Sequence, residues 1–322
     1  MNAIRITEHG GPEAMRLEEL PTPAPQAGQV LVRVEAAGVN FIDTYQRSGQ
    51  YKVPLPYTLG LEGAGVVEAV GDGVTGIATG ARVAWTNVPG SYATHAVVPA
   101  DKVVALPARI TPQRGAAAML QGMTAHYLAR STFPLRDGDA CLVHAGAGGV
   151  GLLLTQIAKR AGARVFTTVS SDVKARLSTE AGADEVIRYT SQDFREAVRR
   201  LTGGAGVRVV YDSVGRDTFE QSLDCLAPRG MLVLYGQSSG AVPPFDAQVL
   251  SAKGSLFLTR PTLAHYTATR EELLARANEV FAWIADGTLK LRIGATFPLA
   301  DAARAHAELQ GRRTTGKVLL LP

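Results

Sequence analysis

The stretch Ala140 to Gly151, reading Ala-Cys-Leu-Val-His-Ala-Gly-Ala-Gly-Gly-Val-Gly, limits the possible folds more than any other part of the chain. Its apolar run Cys141 to Val143 lies between Arg136-Asp137-Gly138-Asp139 and a group of glycines, as a buried parallel strand does. Gly146, Gly148 and Gly151 satisfy G-x-G-x-x-G. A helix-period segment follows over Val150 to Arg160, with Leu153, Leu154, Ile157 and Ala158 on one side and Lys159-Arg160 in its last turn. Glycines there let the backbone turn sharply, let amides approach a pyrophosphate, and let helix and strand pack closely. Another strand pattern, Arg164 to Val169, comes after an Ala-Gly-Ala turn, and this context turns a weak motif into a dinucleotide-site signature.

The alternation continues on both sides of that unit. Strands are expected at 140–144, 164–169, 184–188, 207–212, 230–235 and 254–259, with helices at 150–161, 172–181, 191–202 and 216–226, which implies a parallel sheet covered on both faces. Before about Gln121 the pattern is instead one of short strands broken by Gly and Pro. Val30, Val32 and Val34 alternate with Leu31, Arg33 and Glu35, and further strands fall within Gly60 to Gly73, Ala81 to Trp85 and Tyr92 to Val98. An amphipathic helix, Arg270 to Ala285, a second helix, Leu299 to Leu309, and a strand, Lys317 to Leu321, end the chain. Because the alternation has stopped there, this tail is expected to return to the first domain. The expected division is 1–122 with 265–322, and 123–264.

Composition narrows the function classes. With 322 residues, 46% of them hydrophobic, the chain can bury two cores. A net charge of +4 is spread over single and paired basic residues such as Arg199-Arg200 and Arg312-Arg313, which argues against nucleic acid. Two cysteines, Cys141 and Cys225, give neither a disulfide framework nor a metal cluster, and a cytoplasmic compartment is expected. No apolar run approaches the ~18 residues of a membrane span. The six histidines, at 9, 95, 126, 144, 265 and 306, show no ligand spacing, and His144 reads as a hydrogen-bonded strand-end side chain. Gly236-Gln237-Ser238-Ser239-Gly240 matches G-x-S-x-G, but Ala241-Val242-Pro243-Pro244 follows where a nucleophile elbow needs a helix.

Three segments together carry a family signature: Asn40-Phe41-Ile42-Asp43-Thr44-Tyr45-x-Arg47-x-Gly49-x-Tyr51, the glycine turn, and Val210-Tyr211-Asp212-Ser213-Val214-Gly215. The chain resembles the medium-chain dehydrogenase/reductase superfamily and, within it, the zinc-free NADPH:quinone oxidoreductases related to zeta-crystallin, over essentially its whole length. The resemblance implies an α/β protein with a GroES-like β-barrel catalytic domain, a Rossmann doubly wound parallel-sheet domain, and an active site in the cleft between them. It implies an NADPH-dependent hydride transfer to a quinone. An enoyl or 2-alkenal reductase is an alternative on the same scaffold, and an NADPH-binding protein with an RNA-binding role is an alternative of another class.

Zinc members of that superfamily hold a metal with Cys, His and Cys, and the matching positions here are Asn40, Leu61 and about Gln121, a poor zinc set. By resemblance, Asn40 and Tyr45 are the catalytic candidates, and Asn40, Tyr45 and Tyr51 line the substrate pocket. Asn40, Tyr45, Thr124, Gly148, Gly149, Val150, Tyr189, Ser213, Tyr235, Gly236, Gln237, Ser238, Phe257, Leu258, Thr259 and Arg312 are carried over as dinucleotide contacts. The choice of nicotinamide cofactor rests on the residues themselves. The second strand ends Val169-Ser170-Ser171, with no acid to meet the ribose, so Ser170, Ser171 and Lys174 are expected to hold a 2′-phosphate. Asp172 departs from this pattern and is expected to be a helix N-cap, its charge turned away. The apolar segment Ser255 to Thr259 at the sheet edge points to a homodimer.

Overall fold

A computed structural model describes every residue from Met1 to Pro322, in two units: Met1–Met123 with Thr267–Pro322, and Thr124–Tyr266. The first is built on the strand Gln29–Val39, whose valines 30, 32 and 34 are buried with Val67, Val83, Trp85 and Tyr92. Glu62–Val70, His95–Pro99 and Lys317–Leu321 all pair with it antiparallel. Beyond these, Arg82–Thr86 and Val104–Ala105 extend one end of the seven-stranded sheet and Ile293–Pro298 the other. The C-terminal strand is thus an interior member of this sheet, hydrogen-bonded to residues nearly the whole chain away, with Val318 opposite Val39 and Leu320 opposite Ala37.

Two helices interrupt what reads in sequence as a run of short strands, Phe41–Arg47 and Pro112–Tyr127. The first is only seven residues long and needs tertiary support. Its N-terminal cap supplies part of it: the Asp43 carboxylate accepts from the Asn40 amide at 2.8 Å, and the amide of Asp43 donates to the Asn40 backbone carbonyl at 3.1 Å. A buried chain of polar groups supplies the rest. Arg47 Nη1 donates to His306 Nδ1 at 3.1 Å, which leaves Nε2–H of His306 to donate to the Tyr92 hydroxyl at 3.1 Å. Tyr92 donates in turn to Asp43 at 3.0 Å. This tautomer gives every link of the chain a donor and an acceptor, with both bonds to Asp43 falling on Oδ2, and it fastens the short helix to the C-terminal helix Ala302–Gln310 that carries His306.

In the second unit the strands β1 (Ala140–Val143), β2 (Arg164–Val169), β3 (Glu185–Arg188), β4 (Val207–Asp212), β5 (Leu226–Leu234) and β6 (Phe257–Thr259) are all parallel, in the order β3-β2-β1-β4-β5-β6. Strand order reverses between β1 and β4, so successive crossover helices cover opposite faces and the sheet is of Rossmann type. The expected helix over 216–226 is shorter, Phe219–Asp224, because β5 begins at Leu226. No helix of the protein is long and apolar enough to cross a membrane.

The buried chain in the first unit makes a pH prediction. Burial pushes the Asp43 carboxyl up from 3.8 to about 7, and burial beside Arg47 holds His306 down from 6.5 to about 3. Between about pH 4 and 7 the unfolded chain has released the Asp43 proton that the fold retains, so this group lowers stability as pH rises. Between about pH 3 and 6.5 the unfolded chain takes up a proton that folded His306 refuses, so that group lowers stability as pH falls. The two slopes oppose each other from pH 4 to 6.5. Asp43→Asn keeps an accepting oxygen and removes one slope, so its stability is expected to climb through that window by up to about 1.4 kcal/mol per pH unit. Denaturant melts at pH 4, 5 and 6 check this; a variant whose profile parallels the wild type contradicts the assignment.

Candidate functional site

Asn40 caps the Phe41–Arg47 helix, and its carboxamide is the meeting point of three distant segments. Nδ2 donates to Glu62 Oε2 at 2.9 Å and to the carbonyl of Gly38 at 3.3 Å. Oδ1 accepts from Lys317 Nζ at 2.8 Å and from Gln121 Nε2 at 3.3 Å. All four hydrogen-bonding positions of the amide are used. The carboxamide is thus committed to Gly38, Glu62, Gln121 and Lys317, all in its own unit. Lys317 and Glu62, both fully buried, form an ion pair beside it, and the other oxygen of Glu62 accepts the amide of Leu120 at 2.5 Å. Gly38 makes room, since a Cβ there would run into the Glu62 carboxylate and lie 2.7 Å from the Lys317 ammonium.

Two of the three positions that match zinc ligands in sequence, Asn40 and Gln121, are thus in hydrogen-bond contact. They do not fit the metal. An amide pair with Leu61 offers no thiolate or imidazole, and a buried ammonium already sits on the Asn40 oxygen where a dication would repel it. No three His, Cys, Asp or Glu side chains gather elsewhere in a metal-holding group. Glu62 and Lys317 escaped the sequence reading. Nothing local marks them, because one is read as a strand residue and the other as the start of a distant strand.

Tyr45 lies on the same short helix, 8% exposed, with its ring edge-on to Tyr51 at 5.3 Å and tilted toward Phe41 at 6.2 Å. The amide of Tyr51 donates to the carbonyl of Tyr45 at 2.9 Å, and Tyr51 is 37% exposed. Asn40, Tyr45 and Tyr51 are therefore brought together around one short helix, with the two tyrosine rings in edge contact. Arg312 belongs to this unit as well, in a left-handed conformation just after the Ala302–Gln310 helix.

In the second unit the glycine turn follows β1 as expected. Gly148 is the N-cap of the helix Gly149–Arg160 and contributes no side-chain cap, so the first-turn amides, from Gly149 and Val150 on, are not capped by a side chain. At Gly151 a Cβ would strike the carbonyl of Ala145, so the close pass of helix and turn requires glycine. These features fit a bound pyrophosphate. His144, fully buried, bridges the turn to its neighbours: Thr168 Oγ1 donates to Nδ1 at 2.9 Å and Nε2–H donates to Ser222 Oγ at 3.0 Å. The Ser222 hydroxyl donates in turn to Asp212 Oδ2 at 2.9 Å. That direction rules out a nucleophilic serine, and burial holds the imidazole below its ordinary range.

Asp212 ends β4 and shapes the next loop, accepting from the amides of Val214 at 2.7 Å and Gly215 at 3.0 Å. The loop carries Ser213 to the end of β5, where the amide of Ser238 donates to the Ser213 carbonyl at 3.1 Å and Tyr235 hydrogen-bonds Ser213. Ser213, Tyr235, Gly236, Gln237 and Ser238 thus form one patch beside the glycine turn's strand. No helix follows Gly240 until Gln248, so the helix that a nucleophile elbow needs is missing. Phe257, Leu258 and Thr259 form β6 at the sheet edge, with Phe257 56% exposed, and Thr124 is buried at the start of this unit.

At the end of β2 one expectation is overturned. The N-cap of the helix Asp172–Glu180 is Ser171, whose hydroxyl accepts the Lys174 amide at 3.4 Å, and Asp172 is the first helical residue. A serine hydroxyl reaches the N3 amide as well as a carboxylate does, which frees Asp172 to pair with Arg188 at 2.7 Å. Arg188 stands opposite Val169 in the β2–β3 register, and the amide of Tyr189 donates to the Val169 carbonyl. Ser170, Ser171, Lys174 and Tyr189 accordingly share one end of the sheet.

Residues 26–108 match the alcohol dehydrogenase GroES-like domain and residues 181–320 the zinc-binding dehydrogenase family. The chain is 49% identical to a quinone oxidoreductase of Pseudomonas aeruginosa, with 99% of each chain covered. It is 43% identical to a 2-haloacrylate reductase of a Burkholderia species, covering 99% of this chain and 98% of that one. A quinone oxidoreductase of Escherichia coli, solved in complex with NADPH, superposes over the full length of both chains with a TM-score of 0.98 at 46% identity. Fold, glycine turn and full-length identity agree: the chain belongs to the medium-chain dehydrogenase/reductase superfamily and, within it, to the quinone oxidoreductases related to zeta-crystallin.

Proposed function

We propose that the protein is an NADPH:quinone oxidoreductase that works without metal or flavin, in the cytoplasm and as a homodimer. The observation that carries this reading is the ammonium of Lys317 on the Asn40 carboxamide, where a zinc member would need an open metal position. Lacking a Lewis acid, such a site has little means of stabilising the alkoxide of a simple ketone. A quinone spreads incoming charge through its own π-system, so the residues need mainly to position and desolvate the reactants. We read the curved sheet of the first unit as the closed barrel of GroES-like domains.

NADPH, when bound, supplies a hydride from its nicotinamide ring. Gly148, Gly149 and Val150 would hold its pyrophosphate, Ser170, Ser171, Lys174 and Tyr189 its 2′-phosphate, and Thr124, Ser213, Tyr235 to Ser238, Phe257 to Thr259 and Arg312 the remainder. Tyr45 would donate a hydrogen bond to the acceptor oxygen, with Tyr51 as the outer wall and Asn40 fixing the helix that carries both the cap and Tyr45. The 2-haloacrylate reductase relative supports a second reading, reduction of a conjugated alkene, on the same residues.

Purified protein without added metal is expected to oxidise NADPH when benzoquinone or naphthoquinone is added, faster than with a 2-alkenal. Tyr45→Phe should lower quinone turnover about tenfold with NADPH affinity nearly unchanged. Stoichiometric zinc, a flavin band, or faster turnover of the alkenal would each overturn the corresponding part. Lys174→Ala should weaken NADPH binding by roughly ten- to a hundredfold and leave NADH binding alone. Equal losses would make Lys174 structural. Pairing of β6 with its copy would bury Phe257 and continue one sheet into the next. Sedimentation at micromolar concentration is expected to give a dimer, and a stable monomer would refute that.

A further inference from the structure

Asp172 is the one acid at the turn where the second Rossmann strand meets the adenosine ribose, and a free carboxylate there would repel a 2′-phosphate while favouring a ribose diol. It is not free: Arg188 Nη1 lies 2.7 Å from its Oδ1. The arginine comes from the carboxyl end of β3, held there by the parallel register that sets it beside Val169, and Thr190 Oγ1 further joins the two strand ends by donating to the Ser170 carbonyl at 3.4 Å. Both partners are well exposed, and an exposed pair of this kind adds little to stability. Its effect on a nearby dianion is another matter, because the charge that the phosphate experiences changes by a full unit when the pair is broken.

We propose that Arg188 is a specificity-determining residue for NADPH, acting through Asp172: it neutralises and tethers the carboxylate, so that Ser170, Ser171 and Lys174 present a site without net repulsion to the 2′-phosphate. The proposal rests on the NADPH reading above and assigns a role that neither the glycine turn nor the strand-end serines reveal. Arg188 is a positioning residue here, since the phosphate is met by the others.

The test is a double-variant cycle read by direct binding of NADPH and NADH to the intact protein, with thermal melts confirming that the fold is unchanged. Arg188→Gln is expected to weaken NADPH binding about three- to tenfold at low salt and to leave NADH unchanged or slightly tighter. Adding Asp172→Asn to that variant should restore NADPH affinity to near wild type, and the loss in the single variant should shrink as ionic strength rises. No loss in Arg188→Gln overturns the proposal. So does a loss that Asp172→Asn fails to restore, which would put Arg188 on the phosphate itself, and so does an equal loss for both cofactors. A wild-type protein that prefers NADH defeats the NADPH reading and this proposal with it, whereas failure of the cycle in an NADPH-preferring protein defeats this proposal alone.

Discussion

The buried contact between Lys317 and Glu62 is the constraint on which the first unit depends. Two charges taken fully out of water lose several kcal/mol of hydration each, and their attraction offsets that only when the remaining hydrogen-bonding positions are filled. Here they are filled by Asn40 and by the Leu120 amide, which ties the end of the strand Gln29–Val39, the strand starting at Glu62, the Pro112–Tyr127 helix and the C-terminal strand to one point. Removing either charge would leave the other buried without its partner, typically about 3–5 kcal/mol. Because the strand Lys317–Leu321 that delivers the lysine lies inside the sheet, between Gln29–Val39 and Ile293–Pro298, the first 123 residues alone lack an interior strand of that core.

The second unit was the more legible in sequence because its rules are local. A parallel strand buried on both faces reads as a short apolar run, and the crossover helices carry their own period, so β1 to β4 fell within two residues of their expected limits. The first unit hid two helices for identifiable reasons. Phe41–Arg47 contains Phe, Ile, Thr and Tyr, none a strong helix former, and stands on its cap and buried partners. Pro112–Tyr127 contains Gly115 and Gly122, which read as breakers, yet each is a close approach: a Cβ on Gly122 would lie 2.8 Å from Val280 Cγ1, and one on Gly115 would lie 2.7 Å from Leu106 Cδ2. The strand Ile293–Pro298 depends on a parallel partner, Lys317–Leu321, that no local pattern announces.

The site divides in the same way. Glycines of the turn and serines at the end of β2 are dictated by backbone geometry and can be found by spacing. Glu62, Tyr92, His306 and Lys317 act over separations that sequence does not display, 277 residues in the case of Lys317 and Asn40. Asp172 shows how a local rule misleads: acid at a helix start suggests a cap, but a serine one residue earlier had already taken that place, and the carboxylate found a partner sixteen residues on.

What these networks leave unused bears on the chemistry. In the first unit the buried carboxyl and imidazole are both consumed internally: Asp43 by the Asn40 amide and Tyr92, His306 by Arg47 and Tyr92. In the second, the only buried histidine beside the glycine turn is fixed between two hydroxyls and kept neutral. Neither arrangement supplies a tuned general acid of the kind needed to protonate a substrate during bond breaking. A hydride acceptor whose anion is already delocalised does not need one, because it can be protonated after the transfer by an ordinary hydroxyl or by water. On the proposed reading, in which Tyr45 and Tyr51 wall the acceptor pocket, shape and desolvation discriminate among conjugated acceptors, and a change in that wall would alter which acceptor is reduced before it altered whether one is.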